Sequence, residues 1–401
     1  MKRIVLMICV LGLTLGLYPL QQHEVSVINV SVPVRVYDGD TFVDDLTIDD
    51  FEVYQDGVLQ KIEALYLADK TDIARREETR NFMPVTSRRF IFMFMLTDIN
   101  PRIDAALEHF FLNVLQPGDI VDVQTPVKNY SLSAEALKSK SREKLADDLK
   151  KLIRRDIQIG SSVYRNLIKD LTRFARSIGG SGQMQGFDST ADDQSAVGLE
   201  YLLTRYRDSL SKLEELRTMD EGGFLRFASS LRRLPGQKVV FFFYQREFRP
   251  ELHPRVISRM QSQYQDDPNI QGALQDLMSM YRRYPKMDMG RMTQVFADAD
   301  LLFNFMYLHK EPENVSGIRM TEQSEDVFKT MSDVALATGG VVDSSQNPES
   351  AFKSGVEKCE NYYLLYYNPQ NYTADGTFKS IDIKIKGKNY KLNFRKGFIA
   401  Q

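Results

Sequence analysis

The stretch RRFIFMFMLTDINPR, residues 88–102, decides the fold of this chain. Within it, Phe90–Leu96 is an uninterrupted apolar run without a polar face. Such a short run is typical of a strand buried on both sides, as at the centre of a parallel sheet. Asn100 and Pro101 then provide the N-cap and first residue of a helix. We therefore expect Asp98 just past the carboxyl end of a central strand, where open α/β sheets bind ligands.

Strands and helices alternate through the middle of the chain. The apolar run Phe241–Tyr244 predicts a second buried strand, and Ile120–Val123 and Leu301–Leu308 predict two more. Between them, apolar side chains recur every three or four residues, which is typical of helices. This alternation predicts an α/β domain over residues 88–358, a doubly wound, mostly parallel sheet with helices on both faces.

Two stretches interrupt the alternation and predict helical inserts at about residues 180–222 and 246–295. Because the second insert follows a buried strand directly, we expect it to overhang the carboxyl edge of the sheet. It is rich in methionine, which suits an adaptable partner surface, although its helical spacing favours ordinary packing. Its methionines are Met260, Met278, Met280, Met287, Met289 and Met292.

Both ends of the chain show the period-two alternation of half-buried strands. The N-terminal β segment covers residues 23–68 and the C-terminal one residues 359–401. We expect the two segments to pair in one β-sandwich-like domain that carries the α/β domain as an insertion. Residues 69–87 are charged and polar, which predicts a linker.

Residues 1–22 have the pattern of an export signal, with Lys2 and Arg3 before an apolar segment that runs from Ile4 to Leu17. No Ala-x-Ala cleavage site follows, so a cleaved signal peptide and an uncleaved N-terminal anchor both stay open. We predict an exported protein, periplasmic or secreted, with membrane contact only through an uncleaved N-terminal segment. The formal net charge of -2 gives no support to nucleic-acid binding.

Catalytic patterns are absent from the sequence. The four histidines, His23, His109, His253 and His309, occur in no His-Glu-x-x-His motif, and neither a Gly-x-Ser-x-Gly nor a phosphate-loop pattern is present. Cys359 has no evident partner base. We therefore predict that the protein is not an enzyme.

Four segments resemble, in matching order, those of bacterial von Willebrand factor A-related proteins. They are VPVRVYDGDTFVDDLTIDDFEVYQDGVLQKIEALY (Val32–Tyr66), LPGQKVVFFF (Leu234–Phe243), ALATGGVVD (Ala335–Asp343) and a tail with YYLLYYNPQNYTADGTFKSIDIKIK that ends in RKGFIA. The likeness covers nearly the whole chain. It implies a von Willebrand A-like domain, an open parallel sheet that in members with an intact site holds a divalent cation at its carboxyl edge.

The resemblance also implies where that metal-ion-dependent adhesion site would lie. The family pattern is Asp-x-Ser-x-Ser after the first strand, a Thr in a later loop and an Asp after the fourth strand, a set of oxygen ligands that suits Mg²⁺. Here Asp98 keeps the first position, and Asn100 and Arg102 replace the two serines. Ser162 stands in for the threonine, and Gln245 for the second aspartate.

These replacements predict a degenerate site without a cofactor. One carboxylate of two is left, and the Arg102 guanidinium disfavours a cation and can pair with Asp98. A residual divalent-cation site, such as one for Mg²⁺, at Asp98, Asn100 and Ser162 is the alternative. Asp98, Arg102, Ser162 and Gln245 form the predicted recognition edge.

Together these observations predict an exported, non-enzymatic protein of adhesion or scaffold type. It would bind a protein partner, of unknown identity, through a metal-independent von Willebrand A-like domain. Two alternatives stay open. One is a structural cell-envelope component that assembles through its helical inserts, and the other is a metal-dependent ligand-binding A domain.

Overall fold

A computed structural model describes residues 29–132, 134–179, 196–217, 219–282, 287–315, 317–345, 347–370 and 372–401. Over these ranges the chain has a mixed α/β fold, which confirms the fold class at that level. The predicted export signal, the first residues of the N-terminal β segment and residues 180–195 of the first insert lie outside the described residues.

The strands, in chain order, are β1 (Val30–Asp38), β2 (Thr41–Phe42), β3 (Phe51–Gln55), β4 (Val58–Gln60), β5 (Ile62–Asp69), β6 (Asp72–Glu78), β7 (Arg88–Met95), β8 (Ile120–Gln124), β9 (Asn129–Leu132), β10 (Gln237–Gln245), β11 (Phe248–Leu252), β12 (Leu301–Leu308), β13 (Ile318–Glu322), β14 (Val342–Asp343), β15 (Asn361–Tyr367), β16 (Phe378–Ile385), β17 (Lys391–Phe394) and β18 (Gly397–Ile399). The α-helices are α1 (Pro101–His109), α2 (Ala134–Ser139), α3 (Arg142–Gly160), α4 (Ser162–Ile178), α5 (Ala196–Arg217), α6 (Glu221–Arg232), α7 (Pro254–Gln263), α8 (Pro268–Tyr281), α9 (Met289–Asp298), α10 (Glu325–Ala337) and α11 (Pro348–Glu360). A 3-10 turn spans Ile48–Asp50, and a π-helical turn, Phe110–Val114, continues α1.

The central sheet contains β7 in its interior, as the apolar run predicts. Its strand order is β14-β12-β10-β7-β8-β9. The first five of these strands are parallel, and β9 is an antiparallel edge strand. Because β7 is hydrogen-bonded on both sides and covered on both faces, its residues from Phe90 to Phe94 are all buried.

Helices cover both faces of this sheet. Phe90, Phe92 and Phe94 pack with residues of α1, α3 and α11 on one face. Ile91 and Met93 pack with residues of α6, α9 and α10 on the other. The alternation of side chains along β7 therefore divides one apolar run between two hydrophobic cores.

The strands of the two chain ends pair with one another in two antiparallel sheets. One sheet has the order β17-β1-β15-β5-β6, with β2 paired to β1, and the other has the order β18-β16-β3-β4. Val32 of β1 lies opposite Leu365 of β15, and Val53 of β3 lies opposite Ile383 of β16. These four side chains are buried in one core, so N-terminal and C-terminal residues depend on each other for burial.

The prediction of a linker over residues 69–87 is wrong for part of that segment. Asp72–Glu78 is strand β6, which pairs with β5 along the edge of a sheet. Its residues alternate between exposed and half-buried, and most are charged. Charged side chains are common on edge strands because they oppose pairing with other chains. The composition of β6 therefore resembles that of a linker.

The inserts also differ from the prediction of helices alone. The second insert begins with strand β11, which pairs with β13 outside the insert. Helices α4, α5, α7 and α8 share a separate hydrophobic core, whereas α9 packs on the central sheet. Met260, Met280 and Met292 are buried, so these methionines serve packing. No helix among the described residues is long and apolar enough to cross a membrane.

Candidate functional site

The carboxyl end of β7 is joined to the carboxyl end of β10 by one side chain. The Gln245 Oε1 atom accepts hydrogen bonds from the backbone N–H of Thr97 at 3.1 Å and of Asp98 at 2.9 Å. It also accepts one from the Thr97 hydroxyl at 3.0 Å. Because β7 and β10 are parallel neighbours, their ends meet at the same edge. The side-chain carbonyl oxygen of Gln245 therefore already accepts three hydrogen bonds.

Asp98 forms an ion pair with Lys310, a cation that the sequence pattern does not indicate. Lys310 lies just beyond the carboxyl end of β12, which belongs to the same sheet and ends at the same edge. The backbone N–H of Arg102 donates to Asn100 Oδ1 at 3.0 Å, so Asn100 caps α1 as predicted. The cation that neutralises Asp98 thus comes from a distant part of the sequence.

Ser162 is not part of a ligand cluster around Asp98 in the described structure. Its hydroxyl donates to the Ile159 carbonyl at 2.6 Å, at the junction of α3 and α4. The residues that reach the end of β7 from this junction are its neighbours. Arg165 Nη1 donates to the Thr97 carbonyl at 3.1 Å and also to the hydroxyl of the buried Ser161.

The oxygen atoms proposed for a residual Mg²⁺ site have other partners. The Asp98 carboxylate pairs with an ammonium group, Asn100 Oδ1 caps a helix, and the Ser162 hydroxyl donates to a carbonyl. Within the described ranges, no three His, Cys, Asp or Glu side chains are grouped so that they could hold a metal ion. The residues at this edge therefore do not fit a magnesium ion, which requires several free oxygen ligands.

An open cleft of about 700 Å³ lies beside this polar edge. The ends of β7 and β8, the α3–α4 junction and helix α6 form its walls. Its lining includes Met95, Thr97, Ser161, Val163, Leu216 and Phe227. We call this feature the apolar cleft.

Exposed apolar side chains gather around the apolar cleft. Val163 is 56% exposed and Leu216 is 52% exposed, and both line it. Val127 and Ile159 are exposed next to the lining residues Pro126 and Gly160. Large apolar side chains are seldom grouped on a solvent-facing surface except at contact sites, so this grouping makes the apolar cleft the candidate contact surface.

Hydrogen bonds to Asp156 of α3 connect one wall of the apolar cleft to β9 and to the loop before it. Its buried carboxylate accepts hydrogen bonds from the Thr125 hydroxyl at 2.8 Å and the Tyr130 hydroxyl at 2.6 Å. Burial opposes the charged form, but these hydrogen bonds and that of Arg155 outweigh it, so the pKa of Asp156 lies below its usual value. A Cβ atom added at Gly160 would lie only 2.5 Å from Pro126 Cβ, so α3 touches the β8–β9 loop.

The remaining candidate groups have structural partners. The buried Cys359 thiol donates to the Gly355 carbonyl at 2.9 Å, and burial raises its pKa to about 11. His109 Nδ1 lies 3.1 Å from the Asn113 side-chain amide, and His253 caps α7. None of these contacts of Cys359, His109 and His253 places a nucleophile beside a base.

Sequence reasoning missed Lys310, Ser161, Arg165 and the function of Gln245 as an acceptor. The position of Lys310 could have been predicted, because this residue follows a buried apolar strand and must therefore lie at the carboxyl edge of the sheet. The role of Arg165 had no such signal, since it depends on the angle at which α4 leaves α3.

No known family model matches this chain, and no curated protein matches it either. Among solved structures, that of the human COPII-coat protein Sec24c is similar with a TM-score of 0.28 and 8% identity, over 80% of this chain and 44% of that chain. This chain thus spans less than half of that protein, and a likeness at this level carries no argument about fold or function.

Proposed function

We propose that this protein is an exported, non-enzymatic interaction protein with a von Willebrand A-like domain that binds a protein partner without a metal ion. The strand order of the central sheet, its single antiparallel edge strand and its helices on both faces support the domain assignment. The resemblance of the four sequence segments supports it independently.

The observation that carries the proposal is the apolar cleft at the carboxyl edge. The polar groups beside it already have partners inside the protein, since Gln245 accepts three hydrogen bonds and Asp98 pairs with Lys310. The exposed apolar side chains are what remains to contact a partner. Burial of apolar surface contributes about 25 cal/mol per Å², so a partner segment with large apolar side chains fits this cleft.

A matched pair of surface variants tests this proposal. Val163→Asp places a charge on the rim of the apolar cleft, whereas Leu336→Asp places one on α10 away from it. Both residues are exposed, at 56% and 60%, so both variants should fold. We expect the partner that co-purifies with the exported wild-type chain to bind Val163→Asp at least about tenfold more weakly, because a buried unpaired charge is costly. Leu336→Asp should bind it as the wild type does.

Undiminished binding of the same partner to Val163→Asp would refute the cleft as the contact surface. Self-association that Val163→Asp leaves intact would instead favour a structural envelope component. Recovery of the chain from the cytoplasm with its N-terminal segment intact and no membrane attachment would contradict export.

Titration calorimetry tests metal independence. We expect no saturable heat with Mg²⁺ or Mn²⁺, and partner binding that a chelator does not change. A saturable heat that Asp98→Ala abolishes would establish the metal-dependent alternative.

A further inference from the structure

A second cavity, of about 260 Å³, lies at the opposite end of the central sheet. The amino ends of β10 and β12 form one side of it, and β1 and β15 of the antiparallel sheet form the other. We call it the seam cavity, because the α/β part and the paired chain ends meet there.

All four sequence segments that carry the family resemblance contribute to the seam cavity. Pro33 and Arg35 come from the first segment, residues 234–238 from the second and Thr338 from the third. The tail contributes Tyr362, Leu364, Tyr366 and Arg395. Segments far apart in sequence thus meet around one small volume, which the carboxyl-edge site does not use.

Positive charge predominates in the seam cavity. Four cations line it, Arg35, Arg232, Lys238 and Arg395, together with one acid, Asp300. Arg35 and Lys238 are each 3% exposed and Arg395 is 8% exposed. Burial of a cation is costly unless an anion compensates it, so this surplus requires an explanation.

Two of the three buried cations, Arg35 and Lys238, donate to neutral carbonyls. Arg35 Nε donates to the Lys358 carbonyl at 2.9 Å, and Lys238 Nζ donates to the Leu234 carbonyl at 3.0 Å. Burial is the main cause that lowers the pKa of Lys238. These contacts satisfy hydrogen-bond donors, but neither places a carboxylate against Arg35 or Lys238.

Arg395 is the third buried cation, and it pairs with the one acid of the cavity lining. Its Nη2 atom donates to the Ser31 carbonyl at 2.6 Å. Its buried Nε atom donates no hydrogen bond to any residue that the structure describes, and lies 3.5 Å from Asp300 Oδ1. Arg232 is engaged elsewhere, because its Nε atom lies 3.1 Å from Asp298 Oδ2.

We propose that the seam cavity binds a small oxyanion, a phosphate or carboxylate group, between Arg395, Lys238 and Arg35. Guanidinium groups bind planar or tetrahedral oxyanions through paired N–H donors, and such bonds are strong where water is excluded. Because residues of both parts of the molecule line the cavity, the bound anion joins the antiparallel sheet to the central sheet. This site is separate from the apolar cleft and does not depend on a protein partner.

Thermal unfolding of the full chain tests the inference, with sodium phosphate and sodium acetate as probes and sodium chloride at equal ionic strength as the reference. A ligand that binds only the folded state raises the melting temperature in a saturable manner. We expect such a rise with phosphate or acetate and none with chloride. A response to phosphate alone identifies a phosphate site, and a response to acetate alone identifies a carboxylate site. Equal effects of all three salts would refute a specific site.

Variants locate the binding. We expect Arg395→Gln to weaken anion binding at least tenfold in calorimetric titration. The control Lys61→Gln removes an exposed charge outside the cavity lining and should keep the wild-type affinity. Lys238→Met removes a buried cation, so it should not lower the melting temperature in anion-free buffer but should reduce the anion-induced rise. Wild-type anion affinity in both Arg395→Gln and Lys238→Met would overturn the proposal.

Discussion

The two ends of the central sheet differ in the kind of side chain that has no complementary partner within the protein. At the carboxyl end the polar groups bind one another, through Gln245 and through the Asp98–Lys310 pair, and exposed apolar side chains gather around the apolar cleft. At the amino end, buried cations outnumber the acids around the seam cavity. The same sheet therefore offers apolar contact at one end and charge at the other, and each end should select a different class of ligand.

The ends also differ in how they are held. At the amino end, Arg88 and Asp119 form a buried bidentate ion pair with Nε–Oδ1 and Nη2–Oδ2 distances of 3.0 and 2.6 Å. At the carboxyl end, the neutral side-chain amide of Gln245 joins the ends of β7 and β10. Disruption of the charged contact should therefore cost more than disruption of the neutral one.

The largest effect is expected from Arg88→Met. This change leaves the Asp119 carboxylate buried without its cation, so the free energy of unfolding should fall by about 3–5 kcal/mol in urea denaturation. Arg89→Met is the matched control, since the Arg89–Asp122 pair is partly exposed and should contribute about 1 kcal/mol or less. An equal loss of free energy of unfolding in both variants would show that the buried ion pair stabilises the fold no more than the partly exposed one does.

A second prediction concerns alkaline pH, to which the amino end should be sensitive. Burial raises the pKa of Cys359 from 9.0 to about 11, and that of Tyr37 and of Tyr366 from 10.0 to about 12. The folded chain keeps these protons longer than the unfolded chain, so the stability they provide is complete below about pH 9 and is lost as pH rises through the raised values.

For Cys359, two pKa units correspond to about 3 kcal/mol. Urea denaturation between pH 8 and 11 should therefore show a shallower decline in Cys359→Ala than in the wild type. The cavity left by the smaller side chain lowers both ends of the curve equally. Parallel pH profiles would disprove the contribution of the thiol.

The smallest effect is expected at the carboxyl end, from Gln245→Ala. The backbone N–H groups of Thr97 and Asp98 lose their acceptor, and the free energy of unfolding should fall by about 1–3 kcal/mol. Gln158→Ala, on the exposed surface of α3, should change it by about 0.5 kcal/mol or less. A loss above that of Arg88→Met would reverse the contrast between the two ends.

The sequence predicts the buried strands well because their apolar runs are continuous. Phe90–Leu96 and Phe241–Tyr244 have no polar face, so a central position in a sheet is their stable environment. Strands β6 and β11 could not be predicted in this way. The first is a charged edge strand, and the second is short, contains Pro250 and pairs with a strand distant in sequence.

The candidate site is harder to predict than the strands. The position of Asp98 follows from the end of a strand, and Asn100 as a helix cap follows from the next proline. The pairing of Asp98 with Lys310 depends on the order of β7, β10 and β12 in the sheet. No local sequence pattern specifies that order. The apolar cleft depends on the angles at which helices meet, and no local pattern determines those angles.

The pairing of β1 with β15 has a consequence for the order in which the protein folds. Val30 lies opposite Tyr367, and Val34 lies opposite Tyr363, so these contacts close a very long loop. The strands of the central sheet all lie between β1 and β15 in the sequence. The edges of β1 and β5 that pair with β15 have no partner until β15 has been made. Unpaired edges are sites of aggregation in folding intermediates. Synthesis from the N-terminus therefore leaves the first strands exposed until the last strands have been made.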